Sequence, residues 1–228
     1  MTASTEIAAL DSRVRSYDLG AWLYDWVVGS TLYHRAVWGM RPEQHEAFAQ
    51  RALAQALPGE VLDAGSGSLL FTARAYRDTP RSLTLLDGSS AMLARARRRL
   101  RSSADDCRIQ LRRGDLYALP FEPAQFSNVF HFGVLHCLER PERCLAELSR
   151  VAEPGAPLFL SCLVLGRKRG DAFLARLQRA GQIAAPRTAD EVKALIEHAG
   201  FSLKSSRIEG SFLFVEALKN QLYNRPQP

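Results

Sequence analysis

The chain has 228 residues, enough for one large domain or for one domain that carries a small helical cap. Its composition, 46% hydrophobic and 24% charged residues, is that of an ordinary globular protein and excludes a compositionally disordered chain. The net charge of +6 is concentrated, because five arginines lie within RARRRLR at 95–101. Apolar residues fall on one stripe of the same predicted helix: Met92, Leu93, Ala96 and Leu100. A solvated helix face is therefore favoured over a phosphate-binding patch.

We expect neither an export signal nor a membrane span. The first sixteen residues, MTASTEIAALDSRVRS, carry two acids and lack an apolar stretch of signal-peptide length. The longest apolar stretch, APLFLSCLVL at 156–165, is too short to cross a bilayer. The four cysteines have neither C-x-x-C nor zinc-finger spacing, so we expect reduced thiols and no metal site. These observations predict a cytoplasmic protein.

Residues 1–56 are predicted to form an N-terminal helical cap or lid, and residues 57–228 the main domain. All three tryptophans and three of the six tyrosines lie between residues 17 and 38. Such density predicts either a cap packed on the main domain or the wall of an apolar pocket. For any single aromatic residue, ordinary helix packing explains the position equally well.

From residue 57 onward, short apolar runs alternate with amphipathic stretches, a pattern typical of a parallel sheet covered by helices. The first five predicted strands are 60–64, 82–87, 107–115, 126–132 and 156–165. Between the last two, a stripe of apolar side chains predicts a helix that ends at Pro154 and Gly155. The stripe consists of Cys144, Leu145, Leu148 and Val151.

The segment after the fifth strand departs from simple alternation. Residues 166–186 are predicted to form a helical insertion on the substrate side of the domain. Thr188, three residues before Glu191, then predicts a capping box that opens a helix ending at Gly200. The last two predicted strands, 201–209 and 211–218, are expected to pair as an antiparallel hairpin at one sheet edge.

The stretch VLDAGSGSLL at 61–70 joins the first strand to the next helix. The strand is predicted to end at Asp63 and Ala64, and glycines then allow the backbone to approach a ligand closely. We expect the following helix to begin at about Ser68, with free N–H groups that attract negative charge. This arrangement is typical of a nucleotide-binding loop.

Two further acids follow strands that lie next in sequence. Asp87 ends the second strand twenty residues after Gly67, where a carboxylate can accept bonds from both ribose hydroxyls. Asp115 ends the third predicted strand. Because the carboxyl ends of parallel strands meet at one edge, the sequence predicts a ligand site there.

Five ordered motifs resemble those of class I S-adenosylmethionine-dependent methyltransferases, most of all the ubiquinone/menaquinone-type small-molecule branch. They read VLDAGSGS, LLDGSSAML, GDLYALPF, FSNVFHFGVLHCL and LSRVAEPGAPLFLS. The resemblance implies an α/β fold, a Rossmann-like doubly wound seven-stranded sheet, mostly parallel with an antiparallel last strand. It also implies an enzyme that transfers a methyl group from S-adenosyl-L-methionine and leaves S-adenosyl-L-homocysteine.

The resemblance implies that the loop after the first strand holds the methionyl part of the cofactor. Gly65, Ser66 and Gly67 would pass beneath that part. Asp63 would support the loop or reach toward the ammonium group, and Asp87 would hold the ribose.

The adenine end of the cofactor is implied to lie over the second and third strands. Gly88 and Met92 would border the adenine ring. Asp115 would accept a bond from the adenine amino group, and Leu116 would offer a backbone N–H and apolar contact.

Histidines and tyrosines are the implied residues near the reacting methyl group. His131 would face the methionine moiety, and His136 would lie near the substrate mouth. If the acceptor must lose a proton, one of these histidines is the candidate base, although a structural role is an equal alternative for either. Tyr24 and Tyr17 would close over the cofactor, where their rings attract a sulfonium.

Three positions depart from the family pattern. Leu69 stands where the loop usually carries a third glycine, so its side chain either narrows the site or turns into the core. Ser127 replaces a common aspartate, and Cys137 replaces the second histidine of a Leu-His-His segment. The changes at Ser127 and Cys137 leave the substrate open, and Leu69 is the best support for a binding protein that keeps the fold without transferring methyl groups.

Other readings follow from the same residues. A nicotinamide oxidoreductase would normally carry a glycine where this chain has Leu70. A nucleic-acid methyltransferase is favoured only by the arginine-rich helix. We expect instead a small, apolar or aromatic acceptor and no nucleic-acid partner. The acceptor atom, oxygen, nitrogen, sulfur or carbon, and the oligomeric state stay open.

Overall fold

A computed structural model describes residues 34–100 and 107–221. Seven strands form one sheet in the order β3-β2-β1-β4-β5-β7-β6. Strands β1 to β5 are parallel, and β7 runs antiparallel to both β5 and β6. The strands are β1 (Val61–Ala64), β2 (Leu83–Asp87), β3 (Ile109–Arg113), β4 (Asn128–Phe132), β5 (Pro157–Leu163), β6 (Phe201–Glu209) and β7 (Phe212–Lys219). The predicted fold class and the edge hairpin are confirmed.

Six α-helices accompany the sheet in the described part of the chain. They are α1 (Glu43–Gln55), α2 (Ala73–Asp78), α3 (Ser90–Arg99), α4 (Pro141–Val151), α5 (Lys168–Arg179) and α6 (Ala189–His198). A π-helix at His34–Trp38 precedes α1, and a short 3₁₀ helix at Leu135–Cys137 follows β4. Within the same residues, no helix has the length and apolarity needed to span a membrane.

The helix after the glycine-containing loop begins later than its sequence predicts. Its expected start was Ser68, but α2 begins at Ala73. Gly67 and Leu69 hold φ values of +57° and +58°, in the left-handed region. A right-handed helix cannot include such residues, so the chain turns through several residues before the helix starts.

Side chains of alternate strand residues build two hydrophobic layers. On one face, Leu62 and Val129 pack in a cluster with α4 and α6. The four residues of the predicted α4 stripe are completely buried there. On the other face, Val61 and Phe130 pack with α1 and with the described residues before it, including Trp38. The sheet is thereby covered on both sides, as a mostly parallel sheet requires.

Several local predictions agree with the structure. Thr188 and Glu191 form the capping box at the start of α6, and α5 occupies the predicted insertion. On α3, Met92 and Ala96 are buried, whereas Arg97 and Arg98 are exposed, in agreement with a solvated face. Arg99 is partly buried and donates to the Ser68 carbonyl oxygen at 2.6 Å. The division at residue 56 between cap and main domain stays a prediction.

Candidate functional site

The carboxyl edge of the sheet brings the glycine loop and Asp87 together. Gly67 donates its backbone N–H to Asp87 Oδ2 at 2.8 Å, and Ser89 donates to Asp87 Oδ1 at 2.8 Å. Ser89 in turn caps α3 by accepting from the Met92 N–H at 3.1 Å. One carboxylate therefore links the loop after β1 to the turn after β2, in support of the predicted ribose end of a site.

The glycine loop is shaped by a close approach on one side and open space on the other. A Cβ on Gly65 would lie 2.9 Å from a methyl carbon of Val134, in the segment after β4. A Cβ on Gly67 would meet no atom within 4 Å. The backbone at Gly67 is thus accessible at the point where the resemblance places the cofactor, which fits an extended ligand that crosses the loop.

Asp63 lies on β1 beneath this loop and is fully enclosed. Tyr76 donates its hydroxyl hydrogen to Asp63 Oδ2 at 2.7 Å. Oδ1 is buried and has no hydrogen-bond partner among the described residues. Burial raises the pKa of Asp63 to about 7, the Tyr76 hydrogen bond opposes that shift, and the Asp87 charge adds to it. An unsatisfied carboxylate oxygen at this place fits the cationic ammonium group of a methionyl ligand.

The predicted adenine contacts lie at the ends of β2 and β3. Asp115 is exposed, and its Oδ1 accepts from the Tyr117 N–H at 2.8 Å. Leu116 is partly buried against the core, and Met92 is buried on α3. The Gly88 carbonyl accepts from Arg113 at 3.1 Å. These residues occupy the expected edge of the sheet, and their roles stay predictions.

His131 is completely buried on β4. Its Nδ1 lies 2.7 Å from the carbonyl oxygen of Ala64, the residue before Gly65. A carbonyl only accepts, so Nδ1 carries the hydrogen and Nε2 presents a lone pair. Nε2 is buried without a hydrogen-bond partner among the described residues. Burial lowers the pKa of His131 to about 4, so the ring is neutral near pH 7.

His136 lies in the 3₁₀ helix after β4. Its Nδ1 accepts from the Leu163 N–H at 3.4 Å, which leaves the hydrogen of the neutral ring on Nε2. Burial, with a smaller contribution from repulsion by protonated His131, lowers the pKa of His136 to about 4. Of the two histidines suggested as bases, His131 is the one whose Nε2 is free to accept a proton. Tyr17 and Tyr24 lie outside the described residues.

An aromatic cluster that the sequence did not predict lies beside the glycine loop. His45 on α1 stacks on Phe71 with ring centroids 4.8 Å apart and meets Phe212 edge to face at 4.6 Å. His34 lies edge-on to the same Phe71 ring at 5.4 Å. Burial, with smaller contributions from His34 and His136, lowers the pKa of His45 to about 3. The only sequence signal was the position of His45 on the buried stripe of α1.

Part of the chain is similar in sequence to known proteins. Residues 62–160 match a family described as a methyltransferase domain. The chain is 37% identical over 128 residues to malonyl-(acyl-carrier protein) O-methyltransferase of Erwinia pyrifoliae, covering 54% of this chain and 46% of that protein. It is 36% identical over 123 residues to demethylmenaquinone methyltransferase of a Parafrankia species, covering 47% and 48%. The chain thus spans about half the length of these relatives.

Solved structures share the fold at low sequence identity. The (4+2)-cyclase SpnF superimposes with a TM-score of 0.73 at 17% identity, over 90% of this chain and 94% of that one. Geranyl diphosphate C-methyltransferase from Streptomyces coelicolor A3(2), solved with S-adenosyl-L-homocysteine, gives 0.65 at 14% identity, over 78% and 77%. Residues 62–160 thus match a methyltransferase domain in sequence, and the solved structures share the fold of the chain.

Proposed function

We propose that the chain transfers a methyl group from S-adenosylmethionine to a small, apolar or aromatic acceptor. The observation that carries the proposal is the bond from the Gly67 N–H to Asp87 at the carboxyl edge of the sheet. It holds an accessible glycine backbone beside a carboxylate, the pair that a nucleoside with an attached amino acid requires. Asp63 Oδ1, which has no hydrogen-bond partner among the described residues, would supply a third contact of the correct charge.

For this reaction the protein must mainly hold the two reactants in line and exclude water from the site. When bound, S-adenosylmethionine supplies a methyl carbon that takes an electron pair from the acceptor while the carbon–sulfur pair returns to sulfur. The glycine loop and Asp87 orient one reactant, and the buried aromatic side chains exclude water from the other. Where the acceptor is an alcohol or phenol, His131 Nε2 is the available lone pair for its proton.

Aromatic side chains near the glycine loop support an apolar or aromatic acceptor. Phe71 and Phe212 border the glycine loop and the start of β7, and both contact His45. Such aromatic surfaces favour flat or apolar ligands. The relatives named above carry names that specify malonyl-(acyl-carrier protein) and demethylmenaquinone as their own substrates.

A protein that binds the cofactor without transferring methyl groups is the second candidate. The cyclase SpnF has this fold, so the fold alone does not determine the reaction. By sequence alone, Leu69 in place of the usual third glycine favours this candidate. Its side chain is 2% exposed and packs in the core, which removes the argument that it blocks the loop.

Calorimetric titration with S-adenosylmethionine tests the proposal. For the unsubstituted protein we expect a micromolar dissociation constant, which corresponds to a binding free energy of about −8 kcal/mol. We expect loss of binding in Asp87→Ala. Asp78→Ala, at the exposed end of α2, is the matched control and should bind normally. Thermal melting of each variant separates loss of the site from loss of the fold.

Transfer itself is measured with a radiolabelled methyl group and a panel of phenols, quinols and amines. Turnover of any acceptor that depends on Asp87 supports the enzyme. Equal affinity for S-adenosylmethionine and S-adenosylhomocysteine with no turnover of any acceptor supports the binding protein instead. Failure of S-adenosylmethionine to bind at all would overturn both.

A further inference from the structure

We propose that a basic cavity at the carboxyl edge of the sheet binds an anionic group, a phosphate or a carboxylate, of the methyl acceptor. The inference rests on the proposed function, because it identifies part of the acceptor of the same site. The cavity measures about 490 Å³, the scale of a small-ligand subsite. Its lining consists of Arg35, Gly39, Met40, Arg41, Gln44 and Arg167.

Arg167 is held in place by the backbone of the π-helix at His34–Trp38. Its Nη1 donates to the Val37 carbonyl oxygen at 2.9 Å. Gly39 allows this approach, because a Cβ there would lie 2.5 Å from the guanidinium carbon. A guanidinium fixed by one hydrogen bond keeps further N–H donors and loses little rotamer freedom when an anion binds. Arg41 also lines the cavity.

The cavity has an excess of positive charge. Among the described residues, no carboxylate forms an ion pair with Arg35, Arg41 or Arg167. Asp171, the acid that follows most closely in sequence, accepts from the backbone N–H groups of Gly166 and Arg167 instead. Guanidinium groups gathered around one concavity without a counterion match the planar, bidentate acceptors of phosphate and carboxylate.

The cavity belongs to the same edge of the sheet as the glycine loop. The π-helix that carries Arg35 is tied to the turn before β7, since Ser211 donates its N–H to the Trp38 carbonyl at 2.8 Å. The first residue of β7, Phe212, pairs with Leu163, the last residue of β5. The arginines therefore lie over the β5 and β7 side, whereas the glycine loop lies over β1 and β2.

Aromatic rings pack between these two ends. Phe71 belongs to the segment after the glycine loop, and Phe212 belongs to the arginine side. His34, next to Arg35 in the chain, contacts both rings, with centroids at 5.4 Å and 6.4 Å. An acceptor that matches this order has an apolar or aromatic body between its reacting atom and its anionic group.

Small molecules with and without an anionic group distinguish binding of the anion from binding of the aromatic body of the acceptor. Phenyl phosphate, benzoate and phenol are titrated calorimetrically into the unsubstituted protein, into Arg35→Gln/Arg41→Gln, and into Arg97→Gln/Arg98→Gln. The last pair removes the same charge from the exposed face of α3. We expect at least one anion to bind, to weaken tenfold or more in the first double variant, and to change less than twofold in the second. The affinity for phenol should change to the same extent in both double variants.

Several other results would contradict the proposed anion site. Absence of binding by both anions, or binding unchanged by Arg35→Gln/Arg41→Gln, overturns the proposal. Equal weakening in the two double variants also overturns it, because net charge alone would then explain the effect. The relative affinities of phenyl phosphate and benzoate identify the anion. Anion binding that depends on Arg35 and Arg41 in a protein that fails to bind S-adenosylmethionine would refute the methyl-transfer function and leave the anion site standing.

Discussion

The Tyr76 hydroxyl lies 2.7 Å from Asp63 Oδ2, and both side chains are sealed in the interior. Asp63 lies two residues before Gly65 on β1, and Tyr76 lies on the helix that follows the glycine loop. This bond spans the loop on which the proposed cofactor site is built. The protonation state of one buried carboxyl group is thereby coupled to the geometry of the site.

Replacement of Tyr76 by phenylalanine should destabilise the protein most at high pH. Burial raises the pKa of Asp63 to about 7, and the Tyr76 hydrogen bond limits that rise. Without the hydroxyl, the ionised carboxylate loses its donor, so the loss of free energy of unfolding should be about 1 kcal/mol at pH 5 and about 2–3 kcal/mol at pH 8. Urea denaturation at both pH values measures the difference.

Asp63→Asn is the control for this prediction, because its side chain carries no charge at either pH. The further change Tyr76→Phe in that background should cost the same at pH 5 and pH 8. A cost of Tyr76→Phe that is independent of pH in the unsubstituted protein would contradict the proposed coupling.

Substitutions at Leu69 separate backbone strain from core packing. Its φ of +58° costs about 1–2 kcal/mol in a residue with a Cβ, whereas burial of a leucine side chain stabilises by about 2–5 kcal/mol. Leu69→Gly should therefore be less stable than the unsubstituted protein, yet more stable than Leu69→Ala by about 1 kcal/mol. Urea denaturation of the three proteins gives the order.

The same variants test where the Leu69 side chain acts. Because it is 2% exposed and packs in the core, affinity for S-adenosylmethionine should change less than threefold in Leu69→Gly. Tighter binding by that variant would show that the leucine narrows the site instead.

Three histidines with lowered pKa values should make the fold sensitive to acid. The folded-state pKa values of His45, His131 and His136 are about 3, 4 and 4, below the ordinary 6.5. Between pH 4 and 6.5 the unfolded chain binds up to three more protons at these sites, so stability rises with pH there. Asp63 acts in the opposite sense, because its folded pKa of about 7 exceeds the ordinary 3.8. Together, the three histidines and Asp63 let the unfolded chain bind up to two more protons than the folded protein.

The expected slope from these four groups is at most about 2.7 kcal/mol per pH unit between pH 4 and 6.5. Urea denaturation across that range measures it. His45→Phe, which keeps a ring between Phe71 and Phe212, should reduce the slope, and Asp63→Asn should increase it. A slope that both variants leave unchanged would show that other groups control the acid transition.

Much of the fold could be predicted because its signals are local. The α4 stripe, the capping box at Thr188 and the edge hairpin depend on residue spacing within single segments, and the structure contains all three. The start of α2 could not be predicted in the same way. Leu69 adopts a left-handed backbone conformation that leucine disfavours, while its side chain packs in the core. The balance between these two effects cannot be predicted from residue spacing.

The candidate site divides in a similar manner. Asp63, Asp87 and Asp115 could be placed at one sheet edge, since each lies at or just after the end of a strand whose direction the alternation predicts. Tyr76 and His45 could not be recognised, because each acts through a neighbour brought close by the fold. Their sequence positions are those of ordinary buried helix residues. The proposed roles of Tyr17 and Tyr24 lie outside the described residues and stay predictions.

Gly210 fixes the contact between the β6–β7 turn and the π-helix that carries Arg35. A Cβ at Gly210 would overlap the Trp38 carbonyl oxygen and would lie 2.8 Å from the Gly39 carbonyl carbon. Both are backbone atoms, so the π-helix or the turn must move. Gly155 has a similar left-handed φ, +81° against +62°, but a Cβ there meets no atom within 4 Å.

These two glycines form a matched pair for the last prediction. Gly155→Ala should lower the free energy of unfolding by about 1–2 kcal/mol, the cost of the backbone conformation alone. Gly210→Ala carries the same cost and a steric clash with backbone, so its loss should exceed about 3 kcal/mol. Urea denaturation of both variants decides the point. Equal losses would mean that the π-helix yields freely at Trp38, and the fixed position of the arginine cavity would then have no basis.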